Sequence, residues 1–485
     1  MKHNESLFIG IVNILIYSAI FIFSAYLPTD PDLGWHLKYG EYFFKTGQIL
    51  RENFFSTMMP DYAWANHSWA SDVLIYYIYN NFGFIGITIL GAGIVTLTFF
   101  VLSKAFKLTL WNKAIIFPIV LLLVSNVNAV SFRSQLVSYF FTAVLFYILS
   151  LYEKNPKRLL FVIPLFLAWA NFHGGFILGI ILLMGYLGIK KIIEIWNNFS
   201  FKKILSAVKF ELLITVGLLI ATLINPFGYG IYLESLNHFG NPWLKYVSEW
   251  AAFEDLSQQW WKLILFTNLF LGSVFVLFVT GKIKKTLPFV ILIVIFLGLS
   301  FYERRYSWSM YYISAPILLG ISEYLKPTSK SIQNTVILFL SFAFVLVAVQ
   351  FKHSPEYYLS MNWSKYCLNP SNLCSYGAMD FISKNNLTNN ISTPYSWGGW
   401  MIWNFPEIKP SIDGRMHVWR DKDGYSAFGD YYTYVQDWES IDKSRYNTVL
   451  VLKQKPMFKR LKKLTKERKW KFVYEDRASA VFVRK

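Results

Sequence analysis

Apolar segments close to 20 residues long recur along the first 350 positions of this 485-residue chain. A helix of about 20 apolar residues spans the ~30 Å hydrocarbon core of a bilayer. We therefore predict an α-helical polytopic membrane protein. Its eleven spans are predicted at residues 7–27, 84–104, 113–127, 134–152, 159–172, 175–190, 210–226, 263–281, 286–301, 307–322 and 332–350. The first is interpreted as an uncleaved span, because its apolar run is longer than that of a typical signal peptide.

The distribution of basic residues predicts the orientation of these spans. In a soluble chain, the formal net charge of +18 would suggest nucleic-acid binding. With the N-terminus in the cytoplasm, however, seventeen Lys and Arg residues fall in inner loops and eight in the longer outer loops. This is the positive-inside pattern of membrane proteins. We therefore predict a multi-pass protein of the inner or plasma membrane, with membrane lipid and not nucleic acid as a partner.

The composition changes to that of a soluble domain from Lys352 onward. We predict a transmembrane domain at 1–350 and an extracytoplasmic α/β domain at 351–485. Its helices are predicted at Tyr376–Asn385, Ala427–Gln436 and Met457–Lys469, and its strands at Ile408–Ile412, Asn447–Leu452, Lys471–Tyr474 and Ala480–Val483. Cys367 and Cys374, the only cysteines, are expected to form a local disulfide if this segment is exported.

The stretch Asp30–Asp72, in the first outer loop, is too polar to cross a bilayer. Its sequence pattern is too regular for an irregular loop. Apolar and aromatic residues recur at helical spacing over 33–44, with charges on the other face, as in a helix that lies in the membrane interface. Asp30, Asp32 and His36 gather at the start of this helix, and Asp32 is placed to cap it. A second polar-aromatic cluster closes the stretch, with Trp64, Asn66, His67, Trp69 and Asp72.

Further polar residues collect in the other outer loops, whereas the inner loops bring mainly lysine. This asymmetry predicts an active or binding site at the outer leaflet. Arg133, Arg304 and Arg305 are candidate phosphate ligands, because a guanidinium binds phosphate oxygens in bidentate fashion. The alternative is an arginine at a span end that reaches into the interface. His173 either contacts substrate or hydrogen-bonds a tight turn. For Glu249-Trp250, packing within the loop is favoured over sugar binding.

Together these residues resemble the GT-C class of membrane glycosyltransferases, which take a sugar from a polyprenyl-phosphate lipid. More closely, they resemble a group of GT-C-like bacterial membrane proteins, over nearly the whole chain. The matching segments are DPDLGWHLKYGEYFFKTGQI, NHSWASDVLIYYIY, FRSQLVSYFF, WANFHGGFILG, INPFGYGIY, YSWGGWMIWNFP and PSIDGRM. The group's runs look like DPDLWWHL-TG, NHEWLSE, RPQLFSY, WANLHGGFLLG, NP-G and WGGYLIW…IDGR. Two departures are Gly34, where the group usually has Trp, and Ser68, where it usually has Glu.

The resemblance implies an inverting glycosyltransferase that passes a sugar from a polyprenyl-phosphate donor to an acceptor at the outer face. Such a reaction needs a base for the acceptor hydroxyl and positive charge for the leaving phosphate. Asp32 or Asp30 is the predicted base, with Asp32 preferred and helix capping as the alternative role. The predicted substrate-binding residues are His36, His67, Arg133, His173, Arg304 and Arg305. Ser68 in place of Glu removes a second carboxylate beside His67.

A divalent metal held by Asp30, Asp32 and His36 is an alternative, although the spacing of the histidines is too loose for a zinc signature. The Trp397–Trp400 segment, followed by Asp413-Gly-Arg415, faintly resembles the Trp-rich acceptor motif of oligosaccharyltransferases, but turns with buried tryptophans are the favoured interpretation. Two other functions remain open. A flippase for a lipid-linked glycan would place ionisable residues inside its spans, which are almost free of charge here. A non-catalytic glycolipid-binding scaffold would tolerate the departure at Ser68.

Overall fold

The structure is a computed structural model, and it describes residues 2–125, 131–195, 201–238, 240–247, 249–253, 259–350, 352–370, 372–436 and 438–485. Helices dominate the chain before residue 351. In order they are α1 (Lys2–Ser24), α2 (Leu33–Thr46), α3 (Trp69–Ala105), α4 (Leu110–Leu123), α5 (Ser134–Tyr152), α6 (Val162–Phe172), α7 (Phe176–Ile195), α8 (Phe201–Thr222), α9 (Gly230–Leu236), α10 (Trp260–Val279), α11 (Ile283–Tyr302), α12 (Ser307–Ile313), α13 (Ala315–Tyr324) and α14 (Lys330–Gln350).

Seven helices of the described chain are long and apolar enough to cross a membrane: α1, α3, α5, α7, α10, α11 and α14. The coarse prediction of a helical membrane protein with several spans agrees with this. The predicted count of eleven is not confirmed. Three of the remaining four predicted spans are short or divided helices, and the fourth, 210–226, lies largely within α8, whose first side chains are outside the described part.

The short helices have identifiable causes. α4 has 14 residues, which is roughly 21 Å of helix, and the predicted span 113–127 runs on into residues outside the described ranges. α6 has 11 residues and follows a 3-10 turn at Pro156–Phe161. The predicted span 307–322 is divided at Ser314 into α12 and α13. Pro316 has no N–H to donate to the preceding turn, so a continuous helix would lose a hydrogen bond there.

Helix α3 is interrupted at Gly83, whose φ of 60° and ψ of −154° are accessible mainly to glycine. The predicted span 84–104 begins directly after this break. The part before the break carries Asp72 and the end of the second polar-aromatic cluster. A single glycine thus separates an amphipathic segment from an apolar one within the same helix.

Near the C-terminus the chain forms short helices and one mixed sheet. In order these are α15 (Pro355–Leu359), α16 (Trp363–Leu368), α17 (Tyr376–Lys384), β1 (Ile391–Ser392), α18 (Gly398–Asn404), α19 (Ala427–Tyr431), β2 (Thr448–Leu452), α20 (Pro456–Lys466), β3 (Trp470–Glu475) and β4 (Ser479–Arg484). The strand order is β1-β2-β4-β3. β1 and β2 are parallel, the other pairs are antiparallel, and β2 is buried along its whole length.

The strand predicted at Ile408–Ile412 is wrong. The carbonyls of Pro410 and Ser411 instead accept the N–H groups of Thr57 and Met58, at 2.9 and 3.1 Å. Pro410 has no N–H for a ladder, which disfavours this segment as an interior strand. The disulfide between Cys367 and Cys374 is confirmed, with Cα atoms 4.8 Å apart.

The chain divides into two compact units that are interleaved along the sequence. Unit 1 comprises Met1–Tyr26, Thr88–Gly228 and Ser248–Pro355. Unit 2 comprises Leu27–Ile87, Tyr229–Val247 and Glu356–Lys485. The final segment of unit 2 starts close to the domain boundary predicted at residue 350. Two earlier segments, which we assigned to the transmembrane domain, also belong to this unit.

Candidate functional site

Asp30 and Asp32 lie at the start of α2, in unit 2. Asp30 is buried; its carboxylate accepts the N–H of Asp32 at 3.0 Å and its carbonyl accepts the Tyr366 hydroxyl at 2.7 Å. Asp32 occupies the N-cap position, but its side chain makes no capping hydrogen bond. The prediction that Asp32 caps this helix through its side chain is therefore wrong; its carboxylate lies against Gly414 instead.

Two close backbone approaches surround Asp32. A Cβ atom added to Gly414 would overlap the Asp32 carboxylate, and one added to Gly34 would overlap the carbonyl of Gly399. At Gly34 the neighbour is backbone, so a larger residue would require the Gly399 segment to move, whereas at Gly414 the neighbour is the end of the Asp32 side chain. The segments DPDLGW, WGGW and IDGR, which are far apart in the chain, thus lie against one another in unit 2.

His36 forms a buried pair with Asp72, a residue that was not among the predicted site residues. Its Nδ1 lies 2.5 Å from one carboxylate oxygen of Asp72, and the Asn66 amide donates to the other at 2.7 Å. The Trp35 ring stacks on the imidazole, with centroids 3.5 Å apart. A buried carboxylate that engages one ring nitrogen fixes the orientation of the imidazole and leaves Nε2 for another partner.

The electrostatic environment of His36 favours its protonated form. Burial opposes protonation, but the carboxylates of Asp72, Asp30 and Asp32 outweigh it and raise the pKa of His36 above its ordinary value. Three acidic side chains therefore act on one imidazole. A histidine whose protonated form is stabilised by carboxylates is a candidate proton donor in an acid–base site.

His67 lies at the start of α3 and takes no part in the pair formed by His36. Its Nδ1 is 3.1 Å from the hydroxyl of Ser68, whose own N–H donates to the Asn66 side chain at 3.0 Å. Ser68 thus stands as a hydroxyl partner for His67 where the resembling group has a carboxylate. The buried carboxylate of this region is supplied four residues later, by Asp72.

Arg415 and Asp413 form a fully buried ion pair in unit 2, although Arg415 Nη1 has no hydrogen-bond partner in the described part of the chain. The guanidinium donates twice to the Asp413 carboxylate, at 2.8 and 2.7 Å, and once to the Asn53 side chain at 3.0 Å. Ser56 donates to the same carboxylate. Arg415 outweighs burial and lowers the pKa of Asp413. Aromatic rings surround the guanidinium within 6 Å, namely those of Trp35, Phe55, Trp64 and Trp419. This cluster joins two distant parts of the chain and is structural in character.

Glu234 in α9 is a buried acid with a neutral hydrogen-bond donor. The indole N–H of Trp419 donates to it at 3.1 Å, and Trp419 also stacks on Tyr62. Burial raises the pKa of Glu234 to about 8, although the Trp419 hydrogen bond opposes this. The sequence had placed Glu234 among many polar residues of one loop, with no signal that it would be enclosed.

In unit 1, all three predicted phosphate ligands meet. Arg133 forms an ion pair with Glu249, and Arg305 lies 3.8 Å from the other oxygen of the same carboxylate. The Trp250 ring covers the guanidinium of Arg305, with its centroid 4.3 Å away. The interpretation that Glu249-Trp250 packs its loop agrees with these contacts, yet both residues also organise the arginines.

These side chains line a cavity of about 260 Å³ that we call the arginine cavity. Arg133 directly precedes α5, Lys262 lies in the first turn of α10, and Arg304 follows α11, so the ends of three long helices converge there. Among the described lining residues, Arg133, Lys262, Arg304 and Arg305 carry positive charge and only Glu249 carries negative charge. The excess of cations suits an anionic ligand.

Arg304 has the least satisfied of these charges. Its Nη1 is buried and has no hydrogen-bond partner in the described part of the chain. Burial lowers the pKa of Arg304 and that of Arg305, and Glu249 acts in the opposite direction on both. A buried donor without a partner is unfavourable, and an anion in the cavity would supply the missing acceptor.

His173 follows α6 and is engaged by its own turn. Its Nδ1 lies 2.7 Å from the Ser138 hydroxyl and receives the Gly175 N–H at 3.1 Å. Because Nδ1 accepts the Gly175 N–H, the Ser138 hydroxyl donates to His173 and accepts the Trp169 indole N–H at 2.7 Å. The turn-bonding alternative for His173 is therefore what the structure contains, and this residue does not line the arginine cavity.

In the part of the chain that the structure describes, no group of three His, Cys, Asp or Glu side chains is arranged to hold a metal ion. Of the residues proposed for a metal, His36 already engages Asp72 and Asp30 already accepts an amide. Within the described residues, the metal alternative therefore has no geometric support. The acid–base interpretation does not depend on such a set of ligands.

No protein-family model matches the chain, and no curated protein matches it significantly.

Proposed function

We propose that this protein is a membrane glycosyltransferase of the GT-C kind, which transfers a sugar from a polyprenyl-phosphate donor to an acceptor at the outer face of the membrane. The observation that carries the proposal is the arginine cavity. Among the described lining residues, four cations and one carboxylate surround a space at the ends of apolar helices, where a lipid phosphate would be held. The sequence resemblance to GT-C-like proteins supports the same class of reaction.

An apolar crevice in unit 1 supports a lipid donor. It has a volume of about 400 Å³ and is bordered by α1, α4 and α14. Pro118 and Leu121 of α4 line this crevice, and Val124 lines the arginine cavity. Residues spaced by three lie on one face of a helix. The same face of α4 therefore leads from the apolar crevice to the arginine cavity. An amphiphile with an anionic head group matches this sequence of surfaces.

The reaction then assigns a role to each cluster. A base takes the proton of the acceptor hydroxyl as its oxygen attacks the anomeric carbon from the side opposite the phosphate. The bond between that carbon and the phosphate oxygen breaks, and the leaving polyprenyl phosphate gains a negative charge. Arg133, Arg304 and Arg305 stabilise this charge. Asp32 acts as the base, with Asp30 and His36 setting its electrostatic surroundings.

The membrane topology of the proposal has eleven crossings, an inner N-terminus and an outer C-terminus. The disulfide between Cys367 and Cys374 supports an exported C-terminal segment. Reporter fusions after Lys285 and Lys485 separate the alternatives. Eleven crossings predict a cytoplasmic reporter and then an outer one. The seven long helices alone predict two outer reporters, and those seven with α8 predict two cytoplasmic ones, so either of these results rejects the proposed topology.

The catalytic test measures transfer from a radiolabelled polyprenyl-phosphate sugar in membranes that contain each variant at equal level. Asp32→Asn should lower the rate by ~10²–10⁴-fold. Arg305→Gln should lower it by ~10²–10³-fold, because it removes charge stabilisation of the leaving group. Arg158→Gln is the matched control, since Arg158 is exposed in a 3-10 turn. Wild-type rates for Asp32→Asn and Arg305→Gln together would reject the proposal.

A further inference from the structure

A second cavity lies wholly within unit 2 and has a volume of about 190 Å³. It borders the carboxyl ends of the two parallel strands: Pro394, Tyr395 and Ser396 follow β1, and Leu452 ends β2. Ligand sites of α/β sheets commonly occur at the carboxyl ends of parallel strands. None of the predicted site residues lines this cavity, so it is independent of the clusters described above.

The lining of this cavity is aromatic and carries little charge. Tyr246 and Tyr432 stack on each other with ring centroids 3.7 Å apart, and Tyr395 meets the edge of Phe428 at 5.1 Å. Among the described lining residues, Lys455 is the only charged one. Tyrosine offers an apolar face and a hydroxyl that both donates and accepts. This combination suits a small ring with C–H groups on its face and hydroxyls on its edge, and Lys455 disfavours a cationic ligand.

A continuous set of contacts connects this cavity with Asp32. The hydroxyl of Tyr395 donates to the Gly414 carbonyl at 3.3 Å. The backbone N–H of Tyr395 donates to the Tyr431 hydroxyl at 3.4 Å. Gly414 in turn lies directly against the Asp32 carboxylate. One tyrosine side chain therefore spans from the cavity lining to the loop that touches the proposed base.

We propose that this tyrosine-lined cavity binds a sugar ring of the acceptor, and that the acceptor is a neutral or acidic saccharide. The inference rests on the proposed function, because an acceptor is meaningful only for a transferase. The size of the cavity limits it to about one ring, since it is below the ~300–1,000 Å³ of sites for larger ligands. The rest of the acceptor extends outside it.

The test measures binding of soluble monosaccharides to the purified full-length protein in detergent by saturation-transfer NMR. The probes are glucose, N-acetylglucosamine and glucuronic acid. At least one should bind, and Tyr246→Leu should weaken that binding by about three- to tenfold, because it removes an aromatic contact while keeping apolar volume. Tyr376→Leu is the matched control. Tyr376 is 40% exposed, compared with 43% for Tyr246, and does not line the cavity.

Failure of this inference is distinguishable from failure of the proposed function. The cavity assignment is overturned if no saccharide probe binds, or if Tyr246→Leu binds the probe as tightly as the wild type does. It is also overturned if a short aromatic peptide such as Ala-Tyr-Ala binds and no saccharide does. If a saccharide binds and Tyr246→Leu weakens it, while no transfer from polyprenyl-phosphate sugars is detected, then the cavity assignment stands and the transferase proposal fails.

Discussion

The two buried arginine clusters differ in how their charge is balanced. In unit 2, Arg415 is bound by a bidentate carboxylate, an amide oxygen and four aromatic rings. In unit 1, Arg133 and Arg305 share a single carboxylate, and Arg304 keeps a buried Nη1 without a described partner beside a cavity. Arg415 also keeps a buried Nη1 without a described partner, but it has a bidentate carboxylate of its own, and we call this cluster completed because such a pair stabilises the fold. We call the unit 1 cluster incomplete because its arginines share one carboxylate beside a cavity, which indicates a ligand. The predictions below test this distinction.

Removal of the carboxylate in the completed cluster should have the largest effect on stability. Asp413→Ala leaves the Arg415 guanidinium buried without its counter-charge, which typically destabilises by ~3–5 kcal/mol. Thermal unfolding followed by tryptophan fluorescence measures this, since three tryptophans contact the arginine. Asp380→Ala, which removes an exposed pair with Lys384, serves as the control. Equal melting of the two variants would contradict the structural role of the cluster.

Glu234 is a buried acid in unit 2 whose hydrogen bond from Trp419 comes from a neutral donor, so its contribution to stability should depend on pH. Its pKa is about 8 in the folded state and about 4.3 when unfolded. The folded state therefore holds the proton more tightly, and stability falls as pH rises between these two values, by about 1.4 kcal/mol per pH unit.

The variant Glu234→Gln removes this titration and keeps an acceptor for the Trp419 indole. Its melting temperature should vary less between pH 5.5 and 7.5 than that of the wild type, and it should melt higher at pH 7.5. Glu407→Gln, a change at an exposed carboxylate of the same unit, should keep the wild-type slope. A variant that follows the wild-type slope would show that Glu234 is not the titrating group.

In the incomplete cluster of unit 1, a substitution should act on ligand binding more than on stability. Arg304→Met removes Nη1, a buried donor without a partner among the described residues, so the melting temperature should not fall. Binding of pyrophosphate, measured by calorimetry, should weaken by roughly ten- to a hundredfold, as expected for loss of a charged hydrogen bond. Arg415→Met should show the reverse pattern. Equal destabilisation by both substitutions would remove the distinction between the clusters.

The smallest expected effect concerns Glu249, the one carboxylate among the described residues that line the arginine cavity. Glu249→Gln should raise the affinity for pyrophosphate by about threefold, because a competing anion is removed from partly exposed arginines. Glu323→Gln is the control, since Glu323 is similarly exposed and pairs with Lys326 away from the cavity. A loss of affinity would instead mean that Glu249 acts mainly by holding Arg133 and Arg305 in place.

Features encoded locally were predictable from the sequence. The length of the apolar runs predicted the seven long helices, and the spacing of Cys367 and Cys374 predicted their bond. The three arginines, which were predicted as phosphate ligands of one site, line the same cavity. Helix continuity was less predictable, since a single Pro316 divides a run whose overall hydropathy is high enough for a span.

Features that depend on distant pairs were not predictable. Asn53 and Arg415 are 362 residues apart, and Glu234 and Trp419 are 185 apart, so no local pattern marks either pair. The expected capping hydrogen bond of the Asp32 side chain is absent, whereas the Asp30 carboxylate accepts a backbone N–H. Both have the same side chain, and only the turn geometry directs the Asp30 carboxylate to the Asp32 amide.

The interleaving of the two units has a consequence for biosynthesis. Unit 2 draws on Leu27–Ile87 and on Glu356–Lys485, so its earliest segment waits for its latest. At about 5–20 residues per second, translation of the intervening chain takes on the order of tens of seconds. Throughout that interval Trp35 and Trp64 lack the loop that carries Arg415. A nascent chain, or one truncated before this loop, would therefore present an uncovered aromatic surface to chaperones and proteases.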